Sequence, residues 1–208
     1  MKNFDIKRIM DKLRCEREIF HSEADFQFSL AWKIKEEHSD YKIFLEWPVE
    51  NQYKYVDILL EKDEKVIPIE LKYKTKELKY KTFNLKTHSA KDIACYDYLK
   101  DIERVESLKD NFNFEKGLSI FLTNDLGFLN KPRSNAGYKE FSIYNGRKIK
   151  KNESLDWAKS ISEGTKKGRK EPITLKQDYE FEWYEYSNLT STSSNNKFKY
   201  LLSEIKNI

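Results

Sequence analysis

Two consecutive apolar runs, separated by a short polar turn, constrain the fold of this chain most strongly. Residues 55–61 and 66–73 are rich in β-branched and aliphatic side chains, and the polar tetrapeptide 62–65 stands between them. Runs of this kind on either side of a polar turn are typical of a β-hairpin. Pro68 lacks an amide hydrogen and is therefore expected near the start of its strand or at a bulge.

Three charged side chains interrupt this otherwise apolar hairpin. Asp57 lies in the first run, and Glu70 and Lys72 lie in the second. The Glu-x-Lys spacing alone carries little information, because it recurs at 77–79 and 204–206. In a strand, however, residues two apart leave the same face, and charge in an apolar setting is costly unless it is paired. The apolar strand around Glu70 and Lys72 therefore distinguishes this Glu-x-Lys from the other two as a candidate site.

The hairpin register brings the two acids together. If the turn is centred between Asp63 and Glu64, then Asp57 lies opposite Glu70, with Cβ atoms ~5 Å apart. Two carboxylates so close repel each other, and a divalent cation between them removes the repulsion. Hard oxygen ligands suit Mg²⁺ or Mn²⁺, and the carbonyl of Leu71 is a candidate third ligand. Lys72 is then placed to orient a water molecule or to hold the charge of a phosphate.

The remaining pattern alternates helices and strands, which predicts an α/β domain. Helices are predicted at 4–20, from Ser22 to about 38, from Ser89 to about 108 and at 198–205; further strands are predicted at 42–49, 118–123, 140–144 and 173–186. A length of 208 residues suits one domain, 1–208, with a core at about 20–145 and a C-terminal extension at about 146–208.

Asp57, twelve intervening residues and then Glu70-Leu71-Lys72 on the second strand of a hairpin resemble the core of the PD-(D/E)XK nuclease superfamily. That family also carries a glutamate on the helix before the hairpin, and Glu23 occupies the corresponding place. Val56 stands where the family's name has proline. The resemblance covers roughly residues 20–125. It implies a restriction-endonuclease-like mixed sheet flanked by helices, here with an N-terminal helical arm.

The resemblance implies Mg²⁺- or Mn²⁺-dependent hydrolysis of nucleic acid, with DNA favoured over RNA. Asp57 and Glu70 would bind the metal, Lys72 would act on the water or phosphate, and Glu23 would support the metal. The sequence also suggests auxiliary residues. They are Gln27, one turn after Glu23, and the polar row Asp97, Asp101 and Arg104 on the helix after the hairpin.

Basic residues follow the Glu-x-Lys segment and are interleaved with aromatic rings, as a nucleic-acid groove requires. A second basic peak lies near residue 168. The candidate contacts are Lys74, Lys76, Lys79, Lys81, Lys86, Lys166, Lys167, Arg169 and Lys170.

Composition and motifs indicate the cellular compartment and argue against several other kinds of active site. Cys15 and Cys95 cannot form a disulfide framework, no apolar run is long enough to span a bilayer, and no signal-peptide segment is seen; a cytoplasmic protein without membrane contact is expected. Zinc-binding spacing, a Walker loop and a Gly-x-Ser-x-Gly elbow are absent from the sequence.

Three alternatives remain open at this stage. The charged residues could be a cross-strand salt-bridge cluster worth under ~1 kcal/mol. The chain could be a catalytically inactive member of the nuclease fold that binds nucleic acid or protein. It could also be an interaction protein without nucleic acid, whose aromatic C-terminal segment forms a surface for a partner protein through Phe181, Trp183, Tyr184 and Tyr186. A homodimer is compatible with each of these.

Overall fold

The computed structural model describes residues 4–49, 54–110, 112–190 and 193–207. Its helices are α1 (Ile6–Glu16), α2 (Glu23–Glu37), α3 (Lys91–Ser107) and the single-turn α4 (Glu163–Lys166). Its strands are β1 (Lys42–Val49), β2 (Lys54–Lys62), β3 (Lys65–Lys74), β4 (Leu78–Tyr80), β5 (Phe83–Leu85), β6 (Lys116–Thr123), β7 (Lys148–Ile149), β8 (Ser154–Leu155), β9 (Ile173–Thr174), β10 (Tyr179–Glu180), β11 (Trp183–Asn188) and β12 (Lys197–Lys206). The chain is therefore an α/β protein.

The described residues build a six-stranded main sheet in the order β1-β2-β3-β6-β12-β11. The β3–β6 pair is parallel, and the other four neighbouring pairs are antiparallel. Helix α3 supplies the crossover between the two parallel strands. Strand β12 pairs with β6, and β11 pairs with β12. The C-terminal segment is therefore part of the main sheet.

The predicted hairpin is confirmed. Strands β2 and β3 pair from Ile58↔Ile69 to Lys62↔Lys65, and Asp63 and Glu64 form the turn between them. Pro68 lies inside β3 and is neither at its start nor at a register shift. The parallel pairing of β3 with β6 begins only at the next residue, so the missing N–H of Pro68 costs no hydrogen bond to β6.

Helix α2 begins as its sequence predicts. The hydroxyl of Ser22 accepts a hydrogen bond from the amide of Asp25 at 3.1 Å. The carboxylate of Asp25 in turn binds the guanidinium of Arg17 at 2.7 Å. Arg17 follows the last residue of helix α1 and has a non-helical backbone, so that helix ends at Glu16 and not at residue 20 as predicted.

Helices cover both faces of the sheet. Helices α1 and α2 pack on one face, against side chains such as Ile58, Leu71 and Ile120. Helix α3 and the segment after β6 pack on the other face, around Tyr98 and Phe121. The N-terminal helix, expected as an arm, therefore packs into the core.

The predicted terminal helix is a strand. Residues 197–206 form β12, which pairs with β6 on one side and with β11 on the other. Phe198, Leu201 and Ile205 are spaced three and four apart, which imitates a helical stripe. In the sheet, Phe198 faces the α1–α2 side, whereas Leu201 and Ile205 face the α3 side. Both faces of β12 are covered, so its sequence lacks the clear alternation of a half-buried strand.

The predicted strand at 140–144 is also wrong. Backbone carbonyl groups at its start accept hydrogen bonds from an arginine side chain and do not pair with another strand. Residues 139–141 form a 3₁₀ turn. The buried guanidinium of Arg147 donates to the carbonyl oxygens of Lys139 and Glu140, at 2.6 and 2.5 Å, and to the hydroxyl of Ser142 at 2.6 Å. Backbone carbonyls that bind an arginine are no longer available to a sheet.

Two further segments contain short strands. Residues 74–88 include the β4–β5 hairpin, and 173–186 divide into β9, β10 and the start of β11. Ser89 does not cap α3 with its side chain as predicted; its carbonyl accepts from the amide of Lys91 at 2.9 Å, and Ala90 occupies the cap position.

Candidate functional site

The candidate site lies where the β2–β3 ladder opens. The last paired residues are Ile58 and Ile69, so Asp57 and Glu70 occupy the next positions on the two strands. The carboxylate of Asp57 accepts a hydrogen bond from the amide of Leu71 at 2.6 Å. Asp57 is therefore held against β3 by its side chain, one residue beyond the last backbone pair.

Glu70 is fully buried and bound by an arginine. It is 1% exposed. Arg104 on α3 approaches both carboxylate oxygens, with Nη2 at 2.6 Å from Oε2 and Nε at 3.0 Å from Oε1. The same guanidinium also contacts Oδ1 of Asp101 at 2.8 Å. Such a two-point ion pair fixes the orientation of Glu70.

Lys72 leaves β3 on the same side as Glu70 and also meets α3. Its ammonium pairs with Oδ2 of Asp101 and lies 3.3 Å from the carbonyl oxygen of Leu71. Asp101, itself 4% exposed, thus holds both Lys72 and Arg104. The carbonyl oxygen that the sequence analysis proposed as a metal ligand is thus in contact with the ammonium of Lys72.

Glu23 and Gln27 reach the site from α2. A carboxylate oxygen of Glu23 accepts from the amide of Tyr73 at 2.6 Å. The side-chain amide of Gln27 donates to the carbonyl oxygen of Asp57 and to the carboxylate of Glu46, both at 2.7 Å. Both residues therefore lie beside the hairpin, where the sequence placed them.

Glu46 is a residue that the sequence analysis missed. It faces Asp57 across the β1–β2 pair, between the registered pairs Leu45↔Ile58 and Trp47↔Val56. Its backbone is left-handed, with φ of 51°. Non-glycine residues rarely adopt that conformation, which often marks a functional or strained position. The available signal was a lone acid inside the apolar strand β1, and only a register for β1 could have related it to Asp57.

Burial has the largest single effect on the pKa values of Asp57, Glu70, Lys72 and Arg104, which together with Asp101 form the charged cluster. Burial raises the pKa of Asp57 to about 6, although the N–H of Leu71 and the ammonium of Lys72 act in the opposite direction. Burial and the carboxylate of Asp101 raise the pKa of Glu70 well above its usual value, Arg104 opposes this, and Asp57 adds to it. The carboxylate of Asp57, predicted to be a neighbour of Glu70, therefore contributes to the raised pKa of Glu70.

The basic groups of the cluster respond to the same carboxylates. Burial alone lowers the pKa of Lys72, but Asp101 and Glu23 outweigh it, and the net pKa is raised. Arg104 behaves in the same way, with Asp101 and Glu70 as its counter-charges. Both side chains are therefore held in their charged forms. Within the described residues, Asp57 is left without an ion pair of its own.

The polar row of α3 divides into two parts. Asp101 and Arg104 belong to the cluster, whereas Asp97 forms a two-point ion pair with Arg169, at 2.6 and 2.8 Å. A cavity of about 300 Å³ separates them. Its walls include Lys72, Asp97, Lys100, Asp101, Arg104 and Arg169. The second basic peak of the sequence thus contributes Arg169 to the wall of this cavity, while Lys170 is exposed and pairs with Glu163 at 2.7 Å.

The other predicted nucleic-acid contacts surround the carboxyl end of β3. Lys74 lies 3.8 Å from Glu23, and Lys76 binds Asp125 at 3.1 Å. The remaining predicted side chains are exposed or partly exposed and lie around the same end of the molecule or on the 166–170 segment: Lys79, Lys81, Lys86, Lys166 and Lys167.

The donor set fits a hard divalent cation in part. Two carboxylates, of Asp57 and Glu70, and the carbonyl of Leu71 are the oxygen ligands that Mg²⁺ accepts. Within the described residues no three His, Cys, Asp or Glu side chains converge in a metal-ligand arrangement. Both oxygens of Glu70 already contact Arg104, so a metal ion would compete with that guanidinium, for which Asp101 is a second acceptor.

Comparison with family models, curated proteins and solved structures found no match to this chain. In the part of the chain that the structure describes, no helix has the length and apolar character required to cross a membrane.

Proposed function

We propose that this protein is a metal-dependent nuclease with a restriction-endonuclease-like core, acting on DNA more readily than on RNA. The observation that carries the proposal is the convergence of Asp57, Glu70 and Lys72 with the carbonyl of Leu71 where the β2–β3 ladder opens. Asp57 and Glu70 would hold Mg²⁺ or Mn²⁺ together with that carbonyl. When bound, the ion supplies positive charge against a phosphodiester and acidifies the attacking water.

The chain's own residues have separate tasks in this mechanism. The ammonium of Lys72, kept charged by Asp101, can hold the charge that grows on the scissile phosphate. Gln27 and the amide of Leu71 fix the backbone and the carboxylate of Asp57. Glu23 lies on the α2 side of the cluster and orders the end of β3 through Tyr73.

The proposal is tested by cleavage of single-stranded and duplex DNA and RNA with Mg²⁺ or Mn²⁺. Glu70→Gln and Lys72→Ala should each lower the cleavage rate by at least about a hundredfold, because each removes a group that meets the reacting phosphate or its metal. The chain contains a matched control in Glu204-Ile205-Lys206, a Glu-x-Lys on β12 of the same sheet. Glu204→Gln and Lys206→Ala should cleave normally. Equal cleavage by all four variants would rule out this site.

One observation favours a second candidate, a catalytically inactive protein of the same fold that binds nucleic acid. Arg104 contacts both oxygens of Glu70, which satisfies a buried carboxylate without any metal. Isothermal titration with Mn²⁺ separates the two candidates. A nuclease site binds the ion and loses it in Asp57→Asn, whereas a purely structural ion-pair network gives no heat of binding in either protein.

A further inference from the structure

A second cavity, of about 360 Å³, opens at the carboxyl end of β3 on the side away from α3. It lies between the start of α2 and the β4–β5 hairpin, and its walls include His21, Glu23, Lys74, Asn84, Lys86 and His88. Glu23 is shared by this cavity and the carboxylate cluster, so the two are direct neighbours. A volume of this size is in the range of small-ligand pockets.

The wall that carries His88 is held by hydrogen bonds. The amide of Thr75 donates to Nδ1 of His88 at 3.0 Å, and the amide of His88 donates to the carbonyl of Thr75 at 2.8 Å. The hydroxyl of Thr75 donates to the carbonyl of Lys86 at 2.7 Å. Because a backbone amide can only donate, Nδ1 carries no hydrogen, and the neutral ring carries it on Nε2. His88 therefore offers a hydrogen-bond donor on its outer nitrogen.

The opposite rim carries an aromatic platform. The rings of His21 and Phe83 stack with centroids 4.1 Å apart and planes 20° from parallel. The His21 side chain is exposed, with Phe83 supporting it from the hairpin. A flat ring backed by a second ring is a surface on which a base can stack.

Cationic groups complete the wall. Lys74 is only loosely engaged, at 3.8 Å from Glu23, and Lys86 is exposed and forms no ion pair with any described residue. Ammonium groups beside an aromatic ring, with amide and imidazole donors between them, match the parts of one nucleotide: phosphate, base and base edge.

We propose that this cavity binds one nucleotide of a single-stranded nucleic acid next to the carboxylate cluster, so that the substrate is a single strand or an unpaired end. The inference rests on the proposed function for its substrate class. An intact duplex can place a base in this cavity only by flipping it out of the stack, which costs pairing and stacking energy, whereas a single strand can turn a base onto His21 without breaking a base pair.

Equilibrium binding tests this inference without any cleavage. Fluorescence anisotropy is measured in EDTA with a labelled single-stranded oligonucleotide, its duplex of equal length, and an unlabelled mononucleotide as competitor. The single strand should bind at least about tenfold more tightly than the duplex. A duplex that binds as tightly would overturn the proposal, as would a mononucleotide that binds as tightly as the oligonucleotide, since the ligand would then be a free nucleotide.

Paired variants locate the binding to this cavity. His21→Ala should weaken single-strand binding about tenfold, and His21→Phe, which keeps a ring on Phe83, should retain it. Lys86→Ala should weaken binding about fivefold. Lys65→Ala, which removes one exposed charge at the opposite end of β3, should change it less than twofold. Equal losses from Lys86→Ala and Lys65→Ala would mean general charge attraction and would overturn the site.

The proposed active site and the proposed nucleotide site are tested independently of each other. If the oligonucleotide binds through His21 and Lys86 but Glu70→Gln leaves cleavage unchanged, the active-site assignment fails and the nucleotide site stands. If cleavage depends on Glu70 but the His21 and Lys86 variants bind normally, only the nucleotide site fails.

Discussion

At the scale of single residues, Asp57 is the least compensated charge in the cluster. Glu70 and Lys72 each have an oppositely charged partner on α3, whereas Asp57 has one backbone N–H as its direct hydrogen-bond donor. Burial therefore raises its pKa to about 6 from an ordinary value of 3.8. A carboxylate kept under these conditions is costly to the fold, and strongly shifted pKa values of this kind are concentrated at functional sites of proteins.

This cost predicts that Asp57→Asn stabilises the metal-free protein at neutral pH. Below about pH 3 the carboxyl is protonated in both folded and unfolded chains, and the variant should match the wild type. As pH rises from about 4 to 6, the unfolded chain loses its proton first, so the wild type loses stability and the variant does not. Above pH 6 the variant should be more stable by about 1–3 kcal/mol.

Urea denaturation in EDTA across this pH range measures the difference. Glu61→Gln provides the control, because Glu61 lies on the same strand but is paired with Lys42 at 2.8 Å. A stability gain for Asp57→Asn that is the same at pH 4 and pH 8 would contradict the assigned pKa.

At the scale of elements, the β2–β3 turn sets the position of the site. Asp63 and Glu64 both have positive φ angles, 50° and 62°. This is the conformation of a two-residue type I′ turn, which matches the twist of the strands and favours glycine. The turn fixes the register, and the register brings Asp57 and Glu70 together at the end of the ladder.

Glu64→Gly should therefore stabilise the protein without altering the site. Glycine adopts a positive φ at no steric cost, so we expect a gain of about 0.5–1 kcal/mol in the free energy of unfolding. Glu64→Ala keeps the Cβ atom and should change stability by only a few tenths of a kcal/mol. Urea denaturation of the two variants provides the measurement, and a gain in the alanine variant equal to that of glycine would contradict the turn type.

Helix α3 supplies counter-charges to the motif formed by Asp57, Glu70 and Lys72. Asp101 and Arg104 point from it to Lys72 and Glu70, so part of the motif's charge is already neutralised inside the protein. An auxiliary role for these two residues was predicted from their spacing on the helix. Their pairing with the motif itself was not predicted, because that choice depends on how α3 packs on the sheet.

At the scale of the whole molecule, the proposed metal site would link metal binding to folding. An ion that binds the folded chain alone stabilises it by ~2.7 kcal/mol at a concentration a hundred times its Kd. For a chain of 208 residues this corresponds to a rise in Tm of about 5–10 °C. Wild-type protein and Glu61→Gln should show this rise with Mn²⁺, and Glu70→Gln should not. A rise retained in Glu70→Gln would show that the ion binds elsewhere.

The sequence by itself determined the features that depend on neighbouring residues. The hairpin, its turn, the capped helix α2 and the shared face of Glu70 and Lys72 follow from alternation, turn chemistry and capping, all of which act over a few residues. The hairpin register was predicted on this basis and is seen in the structure. The position of Glu23 beside the hairpin, with Gln27 one turn further along α2, was expected from the family resemblance instead, and both side chains contact the hairpin.

Only the tertiary structure decided which residues meet across long distances in the chain. Residues 197–206 became a strand because β6 and β11 supply hydrogen-bond partners on both sides. Glu70 found Arg104, and Arg169 found Asp97. The physical reason is that burial and ion pairing depend on which surfaces come into contact, whereas periodicity and turn propensity are properties of the local chain.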